Sequence, residues 1–116
     1  MDERDPAYLW DIVEAAKEIV RFLAGKRLED LASDRVLQLA VERELEIIGE
    51  AAARVSSGFR EEHPEVPWSR IIAQRNVIAH QYGEIQIDRI WLVANELPEL
   101  ILLLEPLIPA VSDQEE

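Results

Sequence analysis

The stretch DRVLQLAVERELEIIGEAAARV, residues 34–55, decides the fold class of this chain. Its apolar residues recur every three or four positions, as on one face of an α-helix, at Leu37, Val41, Leu45, Ile48, Ala52 and Val55. This stripe is widened by Val36, Ala40, Ile47 and Ala51. An apolar arc of this width predicts a central helix that contacts several neighbours. Ser33 and Asp34 supply the N-cap signal at which it begins.

The chain before and after this stretch contains further helical patterns. A first helix is predicted over residues 6–23, and Gly25 terminates its apolar pattern. Residues 26–32 are predicted to form a connector. After the central helix, a short turn of helix is predicted over residues 59–62.

Two more long helices are predicted toward the C-terminus. One covers residues 68–82, with Pro67 at its start and Gly83 as a left-handed cap. The other runs from about residue 88 to residue 104 and is expected to bend at Pro98.

The composition supports the same fold class. Hydrophobic residues make up 48% of the 116-residue chain and aromatic residues only 6%, so the core must be mostly aliphatic, which suits packed helices better than a sheet. We expect residues 1–116 to form one all-α domain with an acidic, flexible tail at about 112–116. Because the chain has no cysteine, we expect no disulfide or zinc–thiolate site and a cytoplasmic location.

The charge limits the classes of partner. A formal net charge of −12 argues against a protein that binds nucleic acid over its whole surface, because binding to the nucleic-acid backbone depends on lysine and arginine. We therefore expect no DNA binding, and any RNA contact must be local.

The most apolar run, residues 100–104, is far shorter than the roughly 20 residues that cross a bilayer, so no membrane partner is expected.

The candidate for chemistry is the stretch RNVIAHQY, residues 75–82. At about 100° per residue, Tyr82 lies about 20° from Arg75 around the helix, while Asn76 and His80 lie near 100° and 140°. Five apolar residues of this helix fall within about 60° of Arg75, namely Trp68, Ile71, Ile72, Ile78 and Ala79. The Arg75 guanidinium therefore emerges from the apolar stripe. Four polar groups thus share one side of the helix.

Periodicity alone leaves two interpretations of these residues open. In the structural one, Arg75 extends to solvent or pairs with a core-facing carboxylate such as Glu50, and His80 finishes the helix, where a cation suits the dipole. In the functional one, they form a site. Burying an unpaired charge costs several kcal/mol, so such an arginine usually has a specific partner or task.

The motif at residues 75–82 and three further blocks in register with it resemble one family. The motif at residues 75–82 is similar to the signature of HEPN-domain ribonucleases in their HepT-like form. In it, arginine is followed by a polar residue, three further positions and histidine, and tyrosine comes two residues after the histidine. The blocks ERELEIIGEA at residues 42–51 and PEVPW at residues 64–68, and later Leu97-Pro98, also resemble HepT-like positions. The likeness covers roughly residues 8–100. One departure is Gly83, where relatives often carry a bulky residue.

The resemblance implies a homodimeric, antiparallel bundle of about four to five helices. It also implies a metal-independent endoribonuclease without a cofactor, whose site at the dimer interface takes Arg75 and His80 from both subunits. Cleavage by the ribose 2′-hydroxyl needs one group to accept a proton and another to return it. A two-fold axis supplies a second His80. Asn76 would orient the base or donate to a phosphate oxygen, with Glu50 and Arg43 as supporting residues.

The resemblance further implies the toxin half of a bacterial or archaeal type VII-like toxin–antitoxin pair. Tyr82 would accept AMP from an MntA-like minimal nucleotidyltransferase antitoxin, and the added bulk and negative charge would exclude an RNA phosphate. From sequence alone, Tyr82 is equally well interpreted as a packed aromatic residue. The rival function is a noncatalytic module that holds nucleotide or substrate for a separate nucleotidyltransferase.

Overall fold

The computed structural model describes residues 1–79 and 86–109 of the chain. Within these residues it contains no strand, and the all-α class is confirmed. The helices are α1 (Asp5–Leu23), α2 (Leu28–Ala32), α3 (Arg35–Arg54), α4 (Ser57–Glu62), α5 (Trp68–Ala79) and α6 (Ile87–Leu104), followed by a 3₁₀ turn at Glu105–Leu107.

The four long helices α1, α3, α5 and α6 match the four that the periodicity predicts, and α4 matches the predicted short turn of helix. The connector predicted over residues 26–32 is wrong in part, because residues 28–32 form α2. Asp30 accepts a hydrogen bond of 2.8 Å from the Arg27 amide at the start of this helix, and Leu31 is fully buried. A helix of five residues is too short to show a period in the sequence.

The core forms where α3 packs against both α1 and α5, and where α1 also packs against α6. Most of the predicted α3 stripe is buried, including Val41, Leu45 and Ile48. The assignment of Val36 to this stripe is wrong, since 77% of Val36 is exposed. It lies about 140° around the helix from Val41, and therefore faces away from both neighbouring helices.

Polar groups fix the beginning of α3. The Asp34 carboxylate accepts a hydrogen bond of 3.0 Å from the Leu37 amide, which confirms the predicted N-cap. The buried Gln38 side chain donates through Nε2 to the carbonyls of Leu31 and Ala32, at 2.9 and 3.1 Å. Because these carbonyls close the short helix α2, Gln38 joins α2 to the central helix.

A buried carboxylate joins the antiparallel helices α1 and α3 near the C-terminal end of α3, opposite the end that Gln38 fixes. Asp5, 1% exposed, begins α1 and accepts hydrogen bonds from the Ser56 amide (2.8 Å) and the Ser56 hydroxyl (2.6 Å), and from the Asp2 amide (2.9 Å). Burial by itself would raise the pKa of Asp5, but the hydrogen bonds from Ser56 and Asp2 outweigh it and leave the pKa lowered.

Parts of the predicted architecture lie outside the described residues. They include the extension of α5 to Tyr82, its cap at Gly83 and the tail at residues 112–116. Helix α6 runs through Pro98, and the bend there stays a prediction, as does the single domain. In the part of the chain that the structure describes, no helix is long and apolar enough to cross a membrane.

We predict that Asp5→Asn lowers the free energy of unfolding by about 2 kcal/mol at pH 7, because charge-assisted hydrogen bonds to a buried acceptor are lost. Urea unfolding between pH 2 and pH 7 measures this. Since the folded-state pKa of Asp5 is lowered, its contribution is present above the ordinary aspartate pKa near 3.9 and disappears as pH falls through the folded value.

The matched control is Asp11→Asn on the exposed side of the same helix, which we expect to change stability little. If Asp5→Asn were as stable as the control across this pH range, the Asp5–Ser56 contact would not hold the two helices together.

Candidate functional site

The helix α5 carries the first half of the predicted site. Arg75 and Asn76 lie in its second half, whereas His80 and Tyr82 lie outside the described residues. The grouping of these four side chains therefore stays a prediction. What the structure does describe is how α5 is held and which charged residues its neighbour α3 carries.

An aromatic cluster fixes the start of α5. Trp68, 6% exposed, donates a hydrogen bond of 2.9 Å from its indole Nε1 to the His63 carbonyl. Its ring meets Phe59 edge-on at 6.2 Å between centroids, and the His63 ring lies 4.4 Å from Phe59. Trp68 is therefore a core anchor. Because Trp68 is the first residue of α5, the cluster fixes the position from which the helix runs toward Arg75.

The two supporting residues predicted on α3 are both exposed. Arg43 forms an ion pair of 3.4 Å with Glu46, one turn along the same helix. The interpretation of Glu50 as core-facing is wrong, because Glu50 lies about 180° around the helix from the buried Val41. An exposed carboxylate on α3 remains available to solvent or to a second subunit. The roles of Arg43 and Glu50 at the site stay predictions.

Another carboxylate on α3 has a strongly altered acidity that sequence reasoning missed. Burial, a hydrogen bond that the protonated Glu44 carboxyl donates to Glu18, and the charge of Glu18 together raise the pKa of Glu44 to about 7. Burial and the charge of Glu46 also raise the pKa of Glu42. Glu18 lies on α1, so we assign Glu44 to the contact between α1 and α3. Nothing in either helical period indicates that these two carboxyl groups meet.

Within residues 1–79 and 86–109, no group of three or more histidine, aspartate or glutamate side chains is arranged to hold a metal ion. His80 lies outside those residues.

Comparison with known proteins identifies the family. The model of the family described as Ribonuclease HepT-like matches residues 12–107, which include all of α5 and the motif at residues 75–82. No solved structure gives a significant match to the chain.

Several curated proteins are similar over most of their length. A "Putative RNase" of Methanocaldococcus jannaschii is 35% identical over 97 residues, which cover 83% of this chain and 89% of the relative. The "Probable ribonuclease HepT" of Thermococcus cleftensis is 37% identical over 94 residues, covering 80% and 86%. A "Putative RNase" of Caldanaerobacter subterraneus is also 37% identical, covering 80% and 84%. With the family match over residues 12–107, these likenesses show that the chain belongs to the Ribonuclease HepT-like family.

Proposed function

We propose that this chain is a metal-independent endoribonuclease whose active site forms where α5 meets its symmetry mate in a homodimer. The observation that carries the proposal is the family match, which spans the motif at residues 75–82 and the helices that position it. The RNase names of relatives that are 35–37% identical support the same activity.

The residue types in the motif suit cleavage by the ribose 2′-hydroxyl. Histidine has an unperturbed pKa near 6.5 and can accept or return a proton close to neutral pH. Arginine can hold a phosphate through two parallel hydrogen bonds. In this proposal His80 takes the proton-transfer role, Arg75 neutralises the phosphate, and Asn76 orients the base or donates to a phosphate oxygen. Glu50 and Arg43 support the site from the adjacent helix.

The shortage of histidine supports the proposed homodimer. The chain has two histidines, and His63 is stacked on Phe59 in the loop before α5. One His80 cannot easily act as both acid and base, whereas a two-fold axis beside α5 brings two copies of His80 and of Arg75 around one phosphate. The cations of two subunits then offer RNA a local positive site on a chain whose net charge is −12.

The proposal extends to the biological role as the toxin of a toxin–antitoxin pair. Its partner would be an MntA-like minimal nucleotidyltransferase that transfers AMP to Tyr82. Tyr82 follows His80 by two residues, so AMP there adds a negative charge and bulk beside the proposed phosphate position. Like-charge repulsion and steric exclusion would then prevent RNA from binding.

We expect the unmodified wild-type protein to cleave total RNA in the presence of EDTA, and His80→Ala or Arg75→Ala to lower the rate by about a hundred-fold or more. Gel analysis of RNA fragments measures the rate, with helicity and dimer mass checked for each variant. The matched control is His63→Ala, which removes the other histidine and should cleave RNA as the wild type does. RNA left intact by wild-type protein that carries no AMP would contradict the proposal and favour the noncatalytic binding module.

We also predict that Tyr82→Phe retains RNA cleavage and becomes resistant to the partner nucleotidyltransferase. The wild type, co-expressed with that enzyme, should gain the mass of AMP on the peptide that contains Tyr82 and lose activity. The other tyrosine, Tyr8, is an internal control because it lies on α1. AMP found on Tyr8 alone, or inactivation of Tyr82→Phe by the same enzyme, would exclude Tyr82 as the acceptor.

A further inference from the structure

A groove runs between α5 and α6, and α3 forms its floor. Its volume is about 440 Å³, within the range of roughly 300–1,000 Å³ that is usual for binding sites. Leu45 and Ile48 of α3 form the apolar floor, while Ile71 of α5 and Leu97 and Leu100 of α6 line the sides. The groove exists because α5 packs on α3 and α6 packs mainly on α1.

The rim of the groove is charged and mostly acidic. Among the side chains that the structure describes, Glu65, Glu96 and Glu99 lie along it with one cation, Arg70. Arg70 forms an ion pair of 3.3 Å with Glu96, which joins α5 to α6 across the mouth. Three carboxylates against one guanidinium leave the rim negative, so it disfavours a phosphate or an acidic chain and favours cations.

The exposed ridge of α6 beside the groove has a defined pattern. Leu92, Glu96, Glu99 and Leu103 fall within an arc of about 60°, so two carboxylates lie between two leucines along one line. Leu92 is 67% exposed, whereas Leu103 is partly buried where it lines the groove. An exposed leucine on the same line as the acidic rim of an apolar groove enlarges the apolar surface that a partner can cover.

We propose that this groove and the α6 ridge bind an amphipathic helix of a partner protein, one that presents leucine-like side chains separated by lysine or arginine. Apolar side chains of that helix enter the groove, and its cations lie against Glu96 and Glu99. The inference does not depend on ribonuclease activity.

Charge favours this occupant over two alternatives, the C-terminal residues of the same chain and a second copy of the chain. The C-terminal residues 112–116 carry three acidic residues and no basic one, so they have the same sign as the rim. A second copy of the chain has a net charge of −12, and a two-fold axis over the groove would set the acidic rims of both copies against each other. A basic amphipathic helix avoids both repulsions.

The test uses the full-length chain and two synthetic peptides. One is an amphipathic helical peptide of leucine, lysine and alanine, and the other has glutamate in place of every lysine. Methyl NMR follows Leu45, Ile48, Leu97 and Leu100 during titration at low salt. We expect the lysine peptide to shift these methyl signals and the glutamate peptide to leave them unchanged.

Charge reversal supplies the matched pair of variants. Glu99→Lys should weaken binding of the lysine peptide by about five-fold or more at low ionic strength, whereas Glu29→Lys on α2, which does not line the groove, should not. Groove methyls unmoved by the lysine peptide, equal binding of both peptides, or equal effects of the two variants would overturn the proposal. So would failure of the lysine peptide to bind the chain in its homodimeric form, because a second copy would then occupy the groove.

Discussion

Burial of the apolar face of α3 between α1 and α5 is the interaction on which the rest of the structure depends. The side chains of Val41, Leu45 and Ile48 leave water against two helices at once. At each end of α3 a polar contact fixes how it meets a neighbour: Gln38 binds the end of α2, and Asp5 of α1 binds Ser56 beyond the end of α3. The motif helix α5 takes its position from this arrangement and from Trp68 at its first residue.

The sequence predicts the four long helices because each has enough turns to show its apolar period, and it predicts the Asp34 cap because that signal is local. It does not predict Asp5, whose partner Ser56 lies 51 positions away, nor the pairing of Glu18 with Glu44 across two helices. The core-facing assignment of Glu50 is wrong because Glu50 lies about 180° around α3 from the buried Val41. The motif residues come from family resemblance, and Arg75 and Asn76 do lie in the predicted helix.

Two opposite electrostatic requirements are combined in this small chain. Cleavage of RNA needs cations concentrated at one place, and the proposed dimer provides them by bringing two copies of Arg75 together. The remaining surface, with its net charge of −12, discourages nonspecific RNA binding and makes the groove beside α6 suitable for a basic partner. The two proposed surfaces share α5, since Arg70 and Ile71 lie at the groove and Arg75 lies one turn farther along the helix.

The central claim, an active site that requires His80 from both subunits, is tested most directly by subunit dilution. Wild-type and His80→Ala chains are unfolded together in varying ratios, refolded into mixed dimers and assayed for RNA cleavage in EDTA. If both histidines are needed, activity falls with the square of the wild-type fraction, to about a quarter at equal mixing, because only that share of random dimers has two copies of His80. A linear fall, to about half at equal mixing, would contradict the shared site.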